Sequence, residues 1–329
     1  MQFKSKLNQG KKSRGIKNKD DAAQGICLVV PPKGRVTHML VDGMTYMHEH
    51  TTIDLSEIKN NEDCHLDAFS ETVKEYKKLF DKGVRNIVDV TNFGMGRNIP
   101  YVQKVAEESG INIIFSTGFY QEKFYPILVF RETREQLAER MIKEITEGIK
   151  GTGVKAEIIG EIGTSHNEWT ETERKVFEAV VIAHKETGKP ITTHTSLGTL
   201  GHEQVDFFKE NGVDLNRVII GHVDLTGDRD YILHMLKEGA YVEFDTIGKE
   251  NYMSDQVRAD VLKVIQEKGY IDQVLLSMDI TRKSHLEYQG GLGYAYLLDT
   301  FIPLLERSGI TDESIEKILV KNPITFMKG

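Results

Sequence analysis

The amino-acid sequence predicts a single (β/α)8 barrel, the TIM barrel, and three observations lead to that prediction. The chain has 329 residues, of which 39% are hydrophobic, so it can bury a core of this size in one domain. Short β-branched runs alternate along it with amphipathic segments, eight times in all. Six imidazole and carboxylate side chains stand at the ends of such runs, and a parallel barrel gathers all of those ends at one rim.

The predicted strands are rich in Val, Ile and Thr and are bounded by polar or glycine-containing segments. They cover Met44–His50, Arg85–Thr91, Ile111–Thr117, Ala156–Glu161, Ile191–His194, Arg217–His222, Ala240–Asp245 and Gln273–Asp279. The segments between them carry apolar residues at helical spacing, and several are followed by a glycine at the C-terminal cap. Helices are predicted, among others, over Leu66–Lys82, Thr133–Ile149, Thr170–Thr187, Gln204–Asn211, Arg229–Lys237 and Gln256–Lys268.

The C-terminal part supplies the helices that close the barrel. One is predicted over Leu292–Arg307, and another begins with Thr311 or Asp312 as its N-cap and runs to Val320. Because no linker rich in Pro, Gly or Ser interrupts the body, residues 26–329 are predicted to form one domain. Residues 1–25 are polar and basic without apolar periodicity, and we interpret them as a disordered arm or a leftover of expression.

Charge and composition restrict the partners of the chain. The net charge is −8, but the first 25 residues contribute seven Lys and Arg against two Asp, so the remainder carries −13. An acidic body is unsuited to binding nucleic acid. No apolar run reaches the roughly 18 residues of a membrane span, and Ile26–Val30 is too short for a secretory signal. Since the only cysteines, Cys27 and Cys64, have no CxxC spacing, we expect ordinary thiols and a cytoplasmic protein.

Four histidines occupy positions that suit metal ions. Side chains alternate along a strand with a period of two, so His48 and His50 lie on the same face and can chelate one ion together. His194 and His222 end two strands that are one β/α unit apart, and a second ion fits between them. Taken alone, each of these histidines also suits a hydrogen-bonded structural role. Their combination with strand-end carboxylates favours the metal site.

Two carboxylates complete the predicted metal site. Glu161 lies on the strand between the two histidine pairs, and its two oxygens can bridge two cations about 3.5 to 4 Å apart. Asp279 ends the eighth predicted strand and can ligate one ion through one oxygen while the other accepts a hydrogen bond from bound water. Imidazole with carboxylate suits Zn²⁺ best, although Mn²⁺, Co²⁺ and Fe²⁺ also accept such ligands.

These motifs together resemble the phosphotriesterase family of the amidohydrolase superfamily. The resemblance runs from about residue 38 to the C-terminus and is strongest to its phosphotriesterase homology branch. It rests on the six residues above and on the segments Asn60-Asn61, Gly96-Arg-Asn98, Glu161-Ile-Gly-Thr-Ser165, Phe244-Asp-Thr-Ile-Gly-Lys249 and Ser277-Met-Asp-Ile-Thr-Arg282.

The resemblance implies a binuclear centre. His48, His50 and Asp279 would hold the more buried ion, His194 and His222 the more exposed one, and Glu161 would bridge them. Phosphotriesterases proper carry a carboxylated lysine at the bridging position, and the shorter glutamate here puts their activity in doubt for this chain. The resemblance also suggests a homodimer.

The loops after the predicted strands contain the candidate substrate-binding residues. Lys249 and Arg282 follow the seventh and eighth strands, where barrel enzymes often bind phosphate, although both also suit the role of solvated surface cations. Aromatic residues follow the third strand, and of these Tyr120 is the candidate substrate contact while the others are expected to pack beneath the loop. His285 follows the eighth strand and is the one other histidine within reach of the pocket; the rest suit ordinary structural roles.

The sequence therefore predicts a metal-dependent hydrolase of a small molecule. The predicted reaction is cleavage of a carboxylic ester or lactone, such as a phosphorylated sugar lactone, by a metal-bridging hydroxide with Asp279 as proton shuttle. Two alternatives remain open at this point. One is phosphoester hydrolysis by the same centre, and the other is a non-catalytic barrel that binds metal and a metabolite.

Overall fold

Eight parallel strands form one sheet in the order of the chain in the computed structural model, which describes residues 39–329. We number them β1 to β8: Met44–Glu49, Val84–Asp89, Asn112–Thr117, Ala156–Thr164, Ile191–Thr195, Val218–Ile220, Tyr241–Phe244 and Val274–Leu276. Every predicted strand is present, and the TIM barrel is confirmed. The predicted arm at residues 1–25 lies outside the described residues.

Helices connect each strand to the next. The longer ones are Phe69–Asp81, Ile99–Ser109, Arg134–Thr146, Glu171–Thr187, Gly201–Glu210, Arg229–Glu238 and Asp255–Glu267. Thr133 and Thr170 each begin a helix with a capping box, which satisfies amide groups that the first turn leaves free. The helix Ile99–Ser109 is not among those singled out from the sequence.

Short elements complete the loops and the C-terminus. They are the helices Ser56–Lys59, Ile127–Arg131, Ile302–Arg307, Asp312–Glu316 and Asn322–Lys328, the π-helical turns Leu297–Phe301 and Lys317–Lys321, and the paired strands Ile53–Asp54 and His65–Leu66. Because His65–Leu66 pairs as a strand, the helix predicted from Leu66 begins only at Phe69. Thr311 is the N-cap of the helix that follows it, since its hydroxyl accepts a hydrogen bond from the Ser314 amide.

Side chains close the barrel between β8 and β1. The amide of His48 donates to the hydroxyl of Ser277 at 2.8 Å. The carboxylate of Glu49 accepts from the amide of Met278 at 2.6 Å and from that of Ile280 at 3.2 Å. Since Glu49 is fully buried, these bonds replace the missing backbone ladder at the seam. They also fix the ends of both strands beside the candidate ligands.

An apolar layer fills the barrel beneath the polar end. It draws side chains from seven of the eight strands and from the C-terminal helix, namely Met47, Val88, Val90, Ile114, Ile158, Ile219, Tyr241, Leu275 and Phe326. Burial of these side chains gives the strand ends above them a rigid base. Among residues 39–329, no helix is long and apolar enough to cross a membrane.

Candidate metal centre

The six predicted ligands meet at the C-terminal end of the barrel, around the carboxylate of Glu161. Its Oε1 lies 3.4 Å from Nε2 of His50, and its Oε2 lies 3.6 Å from Nε2 of His48. On the other side, Oε2 lies 3.2 Å from Nδ1 of His194 and 3.7 Å from Nε2 of His222. Glu161 therefore stands between the two histidine pairs.

Asp279 lies beside the pair formed by His48 and His50. Its Oδ1 lies 3.4 Å from Nε2 of His50 and 3.9 Å from Nε2 of His48. Two atoms that each bind the same ion at about 2.1 Å lie about 3 to 3.5 Å apart, so this spacing suits ligands better than direct hydrogen bonds. His48, His50 and Asp279 offer ligand atoms within 4.8 Å of one another, and so do His48, Glu161 and His222.

Several of these atoms are buried without a hydrogen-bond partner in the described part of the chain. They are both ring nitrogens of His48, Oε2 of Glu161 and Nδ1 of His194. A buried polar atom without a partner costs free energy, and such atoms are rarely left unexplained in folded proteins. A cation among them would satisfy all of these except Nδ1 of His48, so the residues present fit a metal site.

In His50 and His222, Nδ1 forms a hydrogen bond away from the centre, which leaves Nε2 to bind a metal ion. Nδ1 of His50 donates to the hydroxyl of Thr91 at 2.8 Å, because that hydroxyl itself donates to the carbonyl of Thr52. Nδ1 of His222 donates to Oδ1 of Asp245 at 2.6 Å. Such outer partners fix the tautomer and the orientation of a ligating imidazole.

His194 presents its other nitrogen to the centre. Its Nε2 lies 3.3 Å from the hydroxyl of Ser196, which donates to the carbonyl of Thr164 and can therefore accept from the ring. The hydroxyl of Tyr120 lies 3.5 Å from the same nitrogen, and the two rings meet edge to face. His194 thus offers Nδ1 to Glu161, whereas the other three histidines offer Nε2.

The electrostatics favour a positive charge at His50 and His222, whereas burial and the neighbouring His222 lower the pKa of His194 to about 4. Burial lowers the pKa of His50, but Asp279 and Glu161 outweigh it and raise that pKa to about 9. Burial also lowers the pKa of His222, and Asp245 outweighs it and raises that pKa to about 10. Carboxylates that favour a proton on a buried imidazole also favour a divalent cation in the same space.

Local backbone structure places the candidate ligands and corrects three predicted strand ends. Glu161 does not end its strand as predicted, because β4 continues to Thr164. His222 and Asp279 lie beyond the ends of their strands, in left-handed conformations with φ of 58° and 46°. These conformations are uncommon outside glycine and turn both side chains inward.

A glycine before His222 allows the close approach of β6 to β5. A Cβ on Gly221 would lie 2.4 Å from the carbonyl oxygen of Thr193, so only glycine fits without displacing the backbone. The amide of His222 donates to Oδ2 of Asp245 at 3.1 Å, which holds the turn.

An open pocket of about 830 Å³ lies above the centre. The predicted substrate residues Lys249, Arg282 and Tyr120 all line it, and His285 does so too. Nζ of Lys249 donates to Oδ2 of Asp279 at 2.5 Å and to its backbone oxygen at 2.6 Å. Most of the aromatic residues after β3 are packed as expected, but Phe124 also lines the pocket.

Sequence reasoning missed three residues around the centre. Asp245 lies 2.6 Å from His222 and 3.4 Å from Nδ1 of His48, and Glu243 is fully buried 3.7 Å from that same nitrogen. A carboxylate at the end of a predicted strand was the available signal for Asp245. Lys59 also lines the pocket, but nothing in its local sequence indicates this position.

The chain is similar in sequence and in fold to known proteins. A sequence profile of the phosphotriesterase family matches residues 31–327. The chain is 48% identical over 286 residues to the phosphotriesterase homology protein of Escherichia coli, covering 87% of this chain and 98% of that protein. A crystal structure of the E. coli protein, described as complexed with phosphate in the active site, superposes with a TM-score of 0.86 and covers 87% of this chain and 99% of that one.

Two further relatives carry names of activities. A lactonase from Listeria monocytogenes is 29% identical, with a TM-score of 0.82 and coverage of 87% of this chain and 90% of that one. An N-acetyltaurine hydrolase from Xenopus tropicalis is 32% identical over 312 residues, covering 90% of this chain and 88% of that protein. The resemblance inferred from the motifs, including the branch, is confirmed.

Proposed function

This chain belongs to the phosphotriesterase family and is a metal-dependent hydrolase, and we propose that it cleaves a carboxylic ester or lactone at a binuclear centre. In this proposal His48, His50 and Asp279 hold one ion, His194 and His222 hold the other, and Glu161 bridges them. The observation that carries it is the convergence of six side chains whose ligand atoms face one another around Glu161.

The chain supplies ligand types that suit Zn²⁺ best and that Mn²⁺, Co²⁺ or Fe²⁺ also accept. Two such ions, when bound, would supply Lewis acidity and an activated water. Buried carboxylates offset their charge, and the outer hydrogen bonds of His50 and His222 hold the rings in place.

Asp279 is the residue that we assign to proton transfer. Its Oδ1 faces His50, and Oδ2 is held at the pocket wall by Lys249. Burial would raise the pKa of Asp279, but Lys249 and the neighbouring imidazoles keep it well below its ordinary value. The carboxylate is therefore ionised before reaction, so it can accept a proton and return it to the departing oxygen.

We propose that the substrate carries an anionic group, such as the phosphate of a sugar lactone. Support comes from Lys249 and Arg282 in the pocket wall and from the phosphate in the E. coli relative. Tyr120 contacts His194 from the β3 side and is proposed to contact the substrate. The lactonase from Listeria monocytogenes supports the choice of a lactone.

Replacing Asp279 by Asn tests the mechanism. We expect the D279N enzyme to keep its fold and most of its metal while kcat falls by about 10²- to 10⁴-fold, because the amide cannot accept the proton. Metal content and circular dichroism are measured together with turnover of the best substrate from a panel of lactones, phosphotriesters and N-acetyltaurine. Undiminished turnover would remove Asp279 from the mechanism.

A substrate panel separates the proposed reaction from its alternatives. Metal-loaded enzyme is assayed against phosphorylated and unphosphorylated sugar lactones, phosphotriesters and N-acetyltaurine, the last because of the named relative. The highest kcat/KM is expected on a phosphorylated lactone. Preference for a phosphotriester would support phosphoester hydrolysis, and an inert but metal-loaded protein would support the non-catalytic barrel.

A further inference from the structure

The cations of the pocket wall differ in what they already bind. Nζ of Lys249 has three N–H donors, and two of them are used by the carboxylate and the backbone oxygen of Asp279. Only one remains for a substrate. Arg282 reaches Asp63 at 4.0 Å, which is too long for a hydrogen bond, so its guanidinium donors stay available.

Lys59 is a third lysine or arginine that lines this pocket, at the end of the short helix Ser56–Lys59 after β1. Within residues 39–329 its side chain forms neither a hydrogen bond nor an ion pair, and its ammonium group lies 5.7 Å from the ring centre of Phe124. An aromatic face attracts a cation without using its N–H donors. Lys59 therefore has all three donors free.

The charge environment of Lys59 includes both the candidate centre and Arg282. The residue as a whole is exposed, yet desolvation at its ammonium group lowers its pKa. The charges of Asp279 and Glu161 act in the opposite direction, and that of Arg282 lowers the pKa further. Lys59, Arg282 and both carboxylates line the same pocket, so one bound molecule can face all of them.

Asp63 fixes the loop of Lys59 to the loop of Arg282. Its carboxylate accepts from the amide of Ser284 at 2.8 Å and from the hydroxyl of Ser284 at 2.5 Å. Lys283 adds an ion pair with Asp67 at 2.6 Å. The loops after β1 and β8 are therefore joined, so Lys59 and Arg282 belong to one connected wall, whereas Lys123 belongs to the loop after β3.

We propose that Lys59, together with Arg282, binds the anionic group that the substrate carries away from its scissile bond. This inference rests on the proposed function and deepens it, because it assigns recognition of the anionic group of the substrate to a residue, Lys59, on the β1 side of the pocket. Lys59 contributes charge and N–H donors from the β1 side of the pocket, and Arg282 contributes a fork of donors from the β8 side.

Equilibrium binding tests the proposal without turnover. Isothermal titration calorimetry on the metal-loaded enzyme compares glycerol 3-phosphate with neutral glycerol. We expect K59M and R282M each to raise the Kd for glycerol 3-phosphate about tenfold, as for a lost hydrogen bond to a charged group, and to leave glycerol binding unchanged. K59R should retain most of the affinity.

Lys123 provides the matched control. It also lines the pocket, and its ammonium group lies 5.9 Å from the same ring of Phe124. K123M is expected to change the Kd by less than about threefold, and melting temperatures show whether each variant is folded. A K59M Kd equal to that of wild type or of K123M overturns the proposal, as does a wild type that binds both probes equally.

The outcomes separate this proposal from the function on which it rests. An enzyme that hydrolyses none of the panel but loses glycerol 3-phosphate affinity in K59M would contradict only the proposed reaction. An enzyme that hydrolyses a lactone with K59M unaffected in binding would contradict only the role of Lys59.

Discussion

Asp245 contacts one histidine from each half of the candidate centre. Its Oδ1 accepts from Nδ1 of His222 at 2.6 Å, and its Oδ2 lies 3.4 Å from Nδ1 of His48. If both histidines ligate through Nε2, each carries a proton on Nδ1. Asp245 accepts the proton of His222, and its Oδ2 is the carboxylate oxygen nearest to Nδ1 of His48, which has no hydrogen-bond partner among the described residues. Asp245 is therefore the residue best placed to orient both rings.

Replacing Asp245 by Asn is expected to weaken metal binding by about 10- to 100-fold, as is usual for the loss of an outer partner. The amide keeps the size of the side chain but offers one oxygen and two N–H groups where two acceptors are needed. Metal Kd values are measured by competition with a chelator. Asp230→Asn, at an exposed position, serves as control. Unchanged metal affinity in D245N would show that the two histidines are oriented without it.

Residue types at strand ends made the candidate ligands predictable. His48 and His194 stand near the ends of their strands and Asp279 stands beyond the end of its strand, and a parallel barrel brings such positions together whatever their separation in sequence. The role of Lys249 was only half predictable. Its place in the pocket follows from its loop, but its bonds to Asp279 depend on the left-handed turn at that residue.

At the scale of elements, the seam between β1 and β8 depends on one buried side chain. Glu49 accepts hydrogen bonds from the amides of Met278, which precedes Asp279, and of Ile280, which follows it. The same residue stands between His48 and His50 in sequence. A change at Glu49 therefore affects barrel closure and also the positions of His48, His50 and Asp279.

Glu49→Ala removes both acceptors and leaves two buried amides without partners. We expect the free energy of unfolding to fall by about 2 to 6 kcal/mol, from about 1 to 3 kcal/mol for each unsatisfied donor. Glu49→Gln keeps one acceptor and should lose less. Urea denaturation measures both variants against Glu57→Ala at an exposed position. A Glu49→Ala protein as stable as this control would mean that backbone pairing alone closes the seam.

Local patterns account for the elements that were predicted. Eight strands and the capped helices at Thr133 and Thr170 follow from side-chain periodicity and from capping residues, which act over a few positions. The seam was not predictable, because a glutamate between two histidines gives no sign of the amides it accepts about 230 residues later. The position of Lys59 in the pocket was not predictable either, because Lys59 and Arg282 line one pocket only when β1 and β8 are neighbours.

At the scale of the whole molecule, a buried ionic network joins the loops after β6 and β7 to the helix Asp255–Glu267. Arg258 on that helix is fully buried. Its Nε donates to Oδ2 of Asp224 at 2.6 Å, and its terminal nitrogens donate to Asp255 at 3.0 Å and to the hydroxyl of Thr246 at 2.9 Å. Asp224 is two residues after His222, and Thr246 is next to Asp245, so the network supports the centre from behind.

Burial raises the pKa of Asp224, and Arg258 is the cation that opposes this effect. Arg258→Met keeps the volume but leaves two buried carboxylates without their cation. We therefore expect the free energy of unfolding to fall by about 3 to 5 kcal/mol, measured by urea denaturation. Adding Asp224→Asn removes one of those charges and should restore part of the loss. A single variant within about 1 kcal/mol of wild type would show that water or proton uptake satisfies the network, and that packing alone holds these loops.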